Sequence, residues 1–147
     1  MTVLDDVVDM SVIAGEPEPP FVDERGSIQN LLSTPVGNVA LIKSMRGVIR
    51  SNHWHRRDWH YLYVLSGRIL YFEREVGSRS LPPGIWASKG RMILTRAGRE
   101  HAVLFLSDSE VLSMSRNAQT HDEHELDVVR VDFLSREYAD LLLREYP

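Results

Sequence analysis

Short apolar runs, four to eight residues long, recur along most of the chain: Ile28–Leu32, Val39–Met45, Trp59–Leu65, Arg68–Glu75, Met92–Thr95, His101–Leu106, Val111–Ser115 and Val128–Phe133. Many are rich in Val, Ile, Tyr and Phe, and Gly, Pro, Asn, Asp or Ser stands between most of them. That pattern predicts an all-β sandwich or barrel. Ser66-Gly67 reads as a hairpin turn, because glycine tolerates positive φ, and Leu81-Pro82-Pro83-Gly84 reads as a break. The period changes at the end. Leu134, Tyr138, Leu141 and Leu142 follow helical spacing, with Ser135 placed to cap, so a short helix is expected over 135–146.

Before the first run lies Gly15-Glu16-Pro17-Glu18-Pro19-Pro20, an irregular connector whose prolines cannot feed a sheet ladder. The expected layout is one domain over 1–147, with an arm over 1–20, a barrel over 21–133 and the helix after it. Val3, Leu4, Val7, Val8, Val12 and Ile13 give the arm apolar positions that can pair across a homodimer. At 147 residues the chain is long enough to bury one core. Its net charge of −4 argues against a nucleic-acid partner, and no apolar run reaches membrane-spanning length. The acidic start MTVLDDVVDM lacks the basic residues of a secretory signal, which fits a cytoplasmic protein. With no cysteine, disulfides, thiolate metal sites and thiol catalysis are excluded.

The candidate chemistry lies in histidines. His53 and His55 are two apart and share a face if they sit on a strand, with Trp54 on the other. His60 starts the next run and shares its face with Leu62 and Val64; His101 shares its face with Val103 and Phe105. Four imidazoles can therefore converge inside one barrel. Taken singly, each is more often a hydrogen-bonded core residue than a ligand. Together they suit a divalent Zn, Fe, Ni, Mn, Co or Cu ion. His121 and His124 lie in the polar stretch THDEHELD, read as a solvated loop between strands; on a helical turn they would stand three apart and could bind metal weakly.

The glycines around the four histidines add a resemblance. Gly47-x5-His53-x-His55-x4-His60-x6-Gly67 resembles the first cupin motif, and Gly90-x5-Arg96-x-Gly98-x2-His101-x3-Phe105 resembles the second. The resemblance implies a cupin double-stranded β-helix, or jelly roll, with a ligand cavity in its mouth. It also implies metal ligation by His53, His55, His60 and His101. The family usually carries Glu at the place of His60, Pro at Arg96 and Asn at Phe105. Four neutral imidazoles leave a divalent site at net +2 instead of +1, a stronger Lewis acid. The cavity is expected to be apolar, walled by Leu62, Val64, Met92, Val103 and Phe105, with Leu62, Met92, Val103 and Phe105 as substrate contacts beside Arg50.

Two further segments resemble cupins that work on nucleotide sugars. Asp23-Glu24-Arg25-Gly26-Ser27 is similar to the early D-x-R-G segment of dTDP-4-keto-6-deoxysugar 3,5-epimerases, and Gly47-Val48-Ile49-Arg50-Ser51-Asn52-His53 to their G-V-x-R-G-x-H strand. Arg50-Ser51-Asn52-His53-Trp54-His55 also resembles the metal-bearing cupin domain of capsular-polysaccharide epimerase/reductases. In the metal-free epimerases the histidine matching His53 is a base; a ligated imidazole cannot serve so, and no tyrosine matches theirs. The resemblance implies a metal-dependent epimerase or isomerase of a sugar carbonyl compound, a small-molecule substrate and no assigned catalytic acid or base. Tyr61, Tyr63, Glu73 and Glu100 are candidates by sequence proximity alone. Arg50 is a candidate anion contact or, facing the other way on a regular strand, an ion-pair partner of Asp23 or Glu24. A metal-dependent dioxygenase and a non-catalytic, metal-anchored binding module remain as alternatives.

Overall fold

The computed structural model describes residues 17–118 and 120–147, without the side chain of His121. The apolar positions of the arm, from Val3 to Ile13, expected to pair across a dimer, lie outside the described residues. Eleven strands and two helices follow in order: β1 (Phe21–Asp23), β2 (Gly26–Ile28), β3 (Asn38–Ser44), β4 (Ile49–His55), β5 (His60–Ser66), β6 (Arg68–Glu75), β7 (Ile85–Ser88), β8 (Met92–Thr95), β9 (Arg99–Phe105), β10 (Ser109–Ser115), α1 (His121–Asp127), β11 (Val128–Arg130) and α2 (Arg136–Glu145).

Two antiparallel sheets face each other, one ordered β3-β10-β5-β8 and the other β11-β4-β9-β6-β7; β1 and β2 form a separate hairpin. This is the all-β architecture expected from the strand pattern, in the jelly-roll form that the cupin resemblance implies. The first core lies between the sheets and includes Leu62, Val64, Ile69, Tyr71, Ile93, Val103, Phe105 and Val111. The second lies outside the five-stranded sheet, where Leu70, Phe72, Ala102, Leu104 and Leu106 pack under Phe133, Leu134, Ala139 and Leu142. Strands β6 and β9 are thus apolar on both faces, and alternate residues feed different cores.

The helix α2 forms as its spacing requires. The Ser135 side chain accepts from the Tyr138 N–H, and the Arg46 guanidinium donates to the carbonyls of Leu143 and Tyr146 at the other end, both at 2.8 Å. Ala139 and Leu142 are buried, whereas Leu141, expected on the inner face, is exposed. The turn at Gly67 is confirmed: its φ is +88°, and a Cβ there would lie 2.6 Å from the Asp108 carbonyl oxygen.

Three expectations change. The run Ile28–Leu32 yields only the end of β2, because an earlier hairpin forms instead. There the Asp23 carboxylate accepts from the Arg25 N–H at 2.9 Å and its guanidinium at 2.6 Å. Strand β7 was not expected; its three apolar residues between Gly84 and Ser88 are too few to display a period. The stretch read as a loop over 121–127 is the helix α1. No helix among the described residues is long and apolar enough to cross a membrane.

Candidate metal centre

Strand β4 is the source of the site's geometry. Ser51 and Asn52 both have positive φ, 73° and 55°, and the β4–β9 register slips between Ser51 and His53. One extra residue is accommodated there, a β-bulge. Before it, Arg50 pairs with Val103; after it, His53 pairs with His101. Arg50 and His53, three apart, consequently share the inner face, which a regular strand would forbid. The Asn52 side chain anchors the bulge by donating to the Leu134 carbonyl at 3.0 Å and accepting from the Leu134 N–H at 2.9 Å.

The four histidines converge as expected. His53 and His55 come from β4 and His101 from β9, all in the five-stranded sheet, while His60 opens β5 in the facing sheet. Ring centroids are 4.8 Å apart for His53 and His55, 4.7 Å for His53 and His101, and 5.5 Å for His55 and His101. His60 lies 5.3 Å from His55 and 5.4 Å from His101. Nitrogens of His53, His55 and His101 fall within 4.8 Å of one another; His60 stands slightly back, across the gap between sheets.

Hydrogen bonds fix which nitrogens face inward. The His55 Nδ1–H donates to Asp127 at 3.1 Å, and the His101 Nδ1–H donates to the Arg99 carbonyl at 3.2 Å. Both leave Nε2 with a lone pair. His55 Nε2, His101 Nε2 and His53 Nδ1 are buried without a hydrogen-bond partner. Buried polar atoms are normally satisfied, so three orphans in one cluster call for a missing partner. Burial, aided by neighbouring histidines, pushes His53 down to about 2 and His60 down to about 3, and it lowers His55 and His101 as well. Neutral imidazoles with orphaned lone pairs are the state a metal ion requires. The donor set therefore fits a divalent metal.

A cavity of about 300 Å³ opens beside the cluster. Arg50, Leu62, Val103 and Phe105 line it, as expected, together with Ile42, Ile69 and Val111 and the polar Asn38, Ser113 and Ser115. Arg50 makes no ion pair with Asp23 or Glu24 among the described residues. Its Nε donates to Ser44 Oγ at 2.7 Å.

Met92 and Val64 are not on the cavity wall. Met92 pairs with Tyr63 on β5 and so projects from the opposite face, with Ile93 taking the inner place beside Leu62. Val64 lies deeper, in the core. Tyr61, Tyr63, Glu73 and Glu100 do not line the cavity either. Glu100 is held by Arg74 at 2.9 Å and by the Gly77 N–H, and Glu73 lies 3.4 Å from both Arg96 and Arg99. Arg96, standing where the family has Pro, thus pairs from a partly exposed position with the buried Glu73 carboxylate.

The polar stretch THDEHELD also contributes to the wall. His124, assigned to a solvated loop, lies on α1, lines the cavity, and places its ring 6.0 Å from His55. Its spacing of three from Asp127, the partner of His55, was the available signal.

No family model matches the chain, and none of the curated proteins searched matches it. Solved structures do. The capsular polysaccharide assembling protein CapF from Staphylococcus aureus superposes with a TM-score of 0.56 at 24% identity, over 78% of this chain but 34% of its own. This chain therefore spans about a third of that one. The dTDP-6-deoxy-D-glucose-3,5-epimerase RmlC from Legionella pneumophila, in complex with dTDP-4-keto-L-rhamnose, gives 0.62 at 19% identity over 84% of this chain and 74% of its own. A 3,4-ketoisomerase from Helicobacter canadensis gives 0.64 at 12% identity, over 88% and 95%. With two facing antiparallel sheets and histidines at the spacing of both motifs, the chain has the cupin jelly-roll fold, shared with these epimerase and ketoisomerase structures.

Proposed function

We propose that the chain is a metal-dependent cupin enzyme, an epimerase or isomerase acting on a keto sugar carried by a nucleotide. The observation that carries this reading is the set of three buried, unpartnered imidazole nitrogens, closed by His60 from the opposite sheet. A structural core would have satisfied those atoms or replaced them with apolar groups. The wall beside them combines apolar Leu62, Val103 and Phe105 with Asn38, Ser113, Ser115 and Arg50. Such a wall suits a sugar ring, which presents both hydroxyl groups and C–H surface. The cavity, about 300 Å³, sits at the lower end of the usual ~300–1,000 Å³ for ligand sites. It suits a monosaccharide unit, with any nucleotide lying outside.

A divalent ion bound by the four histidines supplies Lewis acidity toward a carbonyl oxygen, which makes the neighbouring C–H more acidic. The chain's own groups do the rest. Asp127 orients His55, the Arg99 carbonyl orients His101, and Arg50 offers a fixed cation to an anionic oxygen. Resemblance to the RmlC and ketoisomerase structures supports a sugar carbonyl substrate.

One observation favours a second reading. The buried His55–Asp127 pair, at 3.1 Å, also has the form of a metal-independent base and its orienting carboxylate. The two readings part on metal dependence. The test uses dTDP- and UDP-linked 4-keto-6-deoxyhexoses in D2O, with the metal-loaded and the chelator-stripped protein. Deuterium entering the carbons beside the carbonyl only with metal supports the first reading. Equal entry without metal supports the second. No entry in either form overturns both; oxygen uptake with the same compounds would mark a dioxygenase, and binding alone a non-catalytic module.

A further inference from the structure

Helix α1 brings two groups to the imidazole cluster. Asp127, its last residue, is committed: its carboxylate accepts from His55 at 3.1 Å, the Arg57 N–H at 2.8 Å and the Asp58 N–H at 3.2 Å, and its carbonyl accepts from the Arg56 N–H at 2.9 Å. His124 lies three residues earlier, one turn away on the same face. Its backbone is held in the helix, with its N–H donating to the Thr120 carbonyl at 3.0 Å and its carbonyl accepting from the Val128 N–H. The clamp on Asp127 thus fixes where His124 stands, half-buried on the cavity wall with its ring 6.0 Å from His55.

His124 stands outside the cluster: its ring lies 6.0 Å from His55, against 4.7 to 5.5 Å between neighbouring rings of the four ligand histidines. The other polar side chains on the described wall, outside the ligand histidines, are Asn38, Arg50, Ser51, Ser113 and Ser115. Of these side-chain types, imidazole is the one that ordinarily accepts a proton and returns it in general acid–base chemistry. We infer that His124 is the catalytic residue that takes the proton from the carbon beside the substrate carbonyl and gives it back. This rests on the keto-sugar reading above. In the step, the C–H bond breaks and the proton passes to an imidazole nitrogen. The C–H electron pair becomes the C=C bond of the enediolate, and the carbonyl π pair moves to oxygen. Return of the proton to the same carbon regenerates the ketone there; delivery to the former carbonyl carbon, with the adjacent hydroxyl proton passing to the enolate oxygen, regenerates it one carbon along, so no oxidant or reductant is consumed.

The test compares the wild-type protein with His124→Gln and His124→Ala, using dTDP- and UDP-linked 4-keto-6-deoxyhexoses in D2O. Metal content and the electronic spectrum of the cobalt-substituted protein are measured in parallel. The expected result is a ~10²–10⁴-fold slower deuterium entry in both variants, with the loss in kcat rather than KM. Metal per chain and the cobalt spectrum stay as in wild type. Exchange at the wild-type rate in either variant overturns the assignment. So does loss of metal or a changed spectrum, which would make His124 a ligand. A wild-type protein that exchanges nothing fails the parent reading instead, and is told apart because the variants then have nothing to lose.

Discussion

The Asp127 carboxylate lies 3.1 Å from Nδ1 of His55, and both groups are buried. That bond turns the Nε2 lone pair of His55 into the cluster and ties α1 to the end of β4. Asp127→Asn should therefore weaken metal binding by ~10–100-fold, the usual cost of losing the support behind a ligand histidine. Asp127→Ala also strands the Arg57 and Asp58 N–H groups and should lower stability by about 1–3 kcal/mol or more. Metal titration separates the two effects from urea unfolding. Unchanged metal affinity in Asp127→Asn would contradict the role.

Ser51 occupies a left-handed backbone position, φ 73°, where the strand of the epimerases it resembles has glycine. A non-glycine residue there costs about 1–2 kcal/mol, against about 0.5–1 kcal/mol for the greater chain entropy glycine loses on folding. Ser51→Gly should accordingly leave the fold unchanged and raise stability by up to about 1 kcal/mol. Ser51→Val should lower it. Thermal unfolding of the two variants checks the order; a reversed order would place the bulge elsewhere.

Burial holds His53 at about 2 and His60 at about 3, against 6.5 for free histidine. Below 6.5 the unfolded chain takes up protons that the folded chain refuses until near 3. The metal-free protein should then be stable above that upper value and lose stability as pH falls through the window. The slope is up to about 1.4 kcal/mol per pH unit for each histidine. Urea unfolding at a series of pH values reads this directly, and His60→Leu should flatten the slope. A stability independent of pH from about 7.5 down to about 5 would contradict the burial of these rings.

Most of the fold was legible because strands facing a core repeat every two residues. His60, Leu62 and Val64 alternate as the sequence implies, and Arg68–Glu75 and Met92–Thr95 became β6 and β8 with those bounds. The four histidines were legible because each lies on a regular stretch or in a recognisable glycine frame. What escaped depended on tertiary context. The face of Arg50 hangs on two left-handed residues that no alternation reveals. Met92 was misplaced because the side a four-residue strand turns inward is set by its register against Tyr63. Helix α1 is short and polar, and Asp127 helps to hold it through contacts far away in sequence. The polarity of the run around His124 therefore gives no sign in the sequence that the residue faces the cavity.

In the proposed site, four histidines from two facing sheets hold one divalent ion. Elemental analysis of the wild-type protein, His60→Ala and His101→Ala tests it most directly, with circular dichroism to confirm that each is folded. The wild type should carry one ion per chain. Both variants should lose it more completely than Asp127→Asn does, although His60 and His101 stand on different sheets. Full metal content in both folded variants would contradict the site.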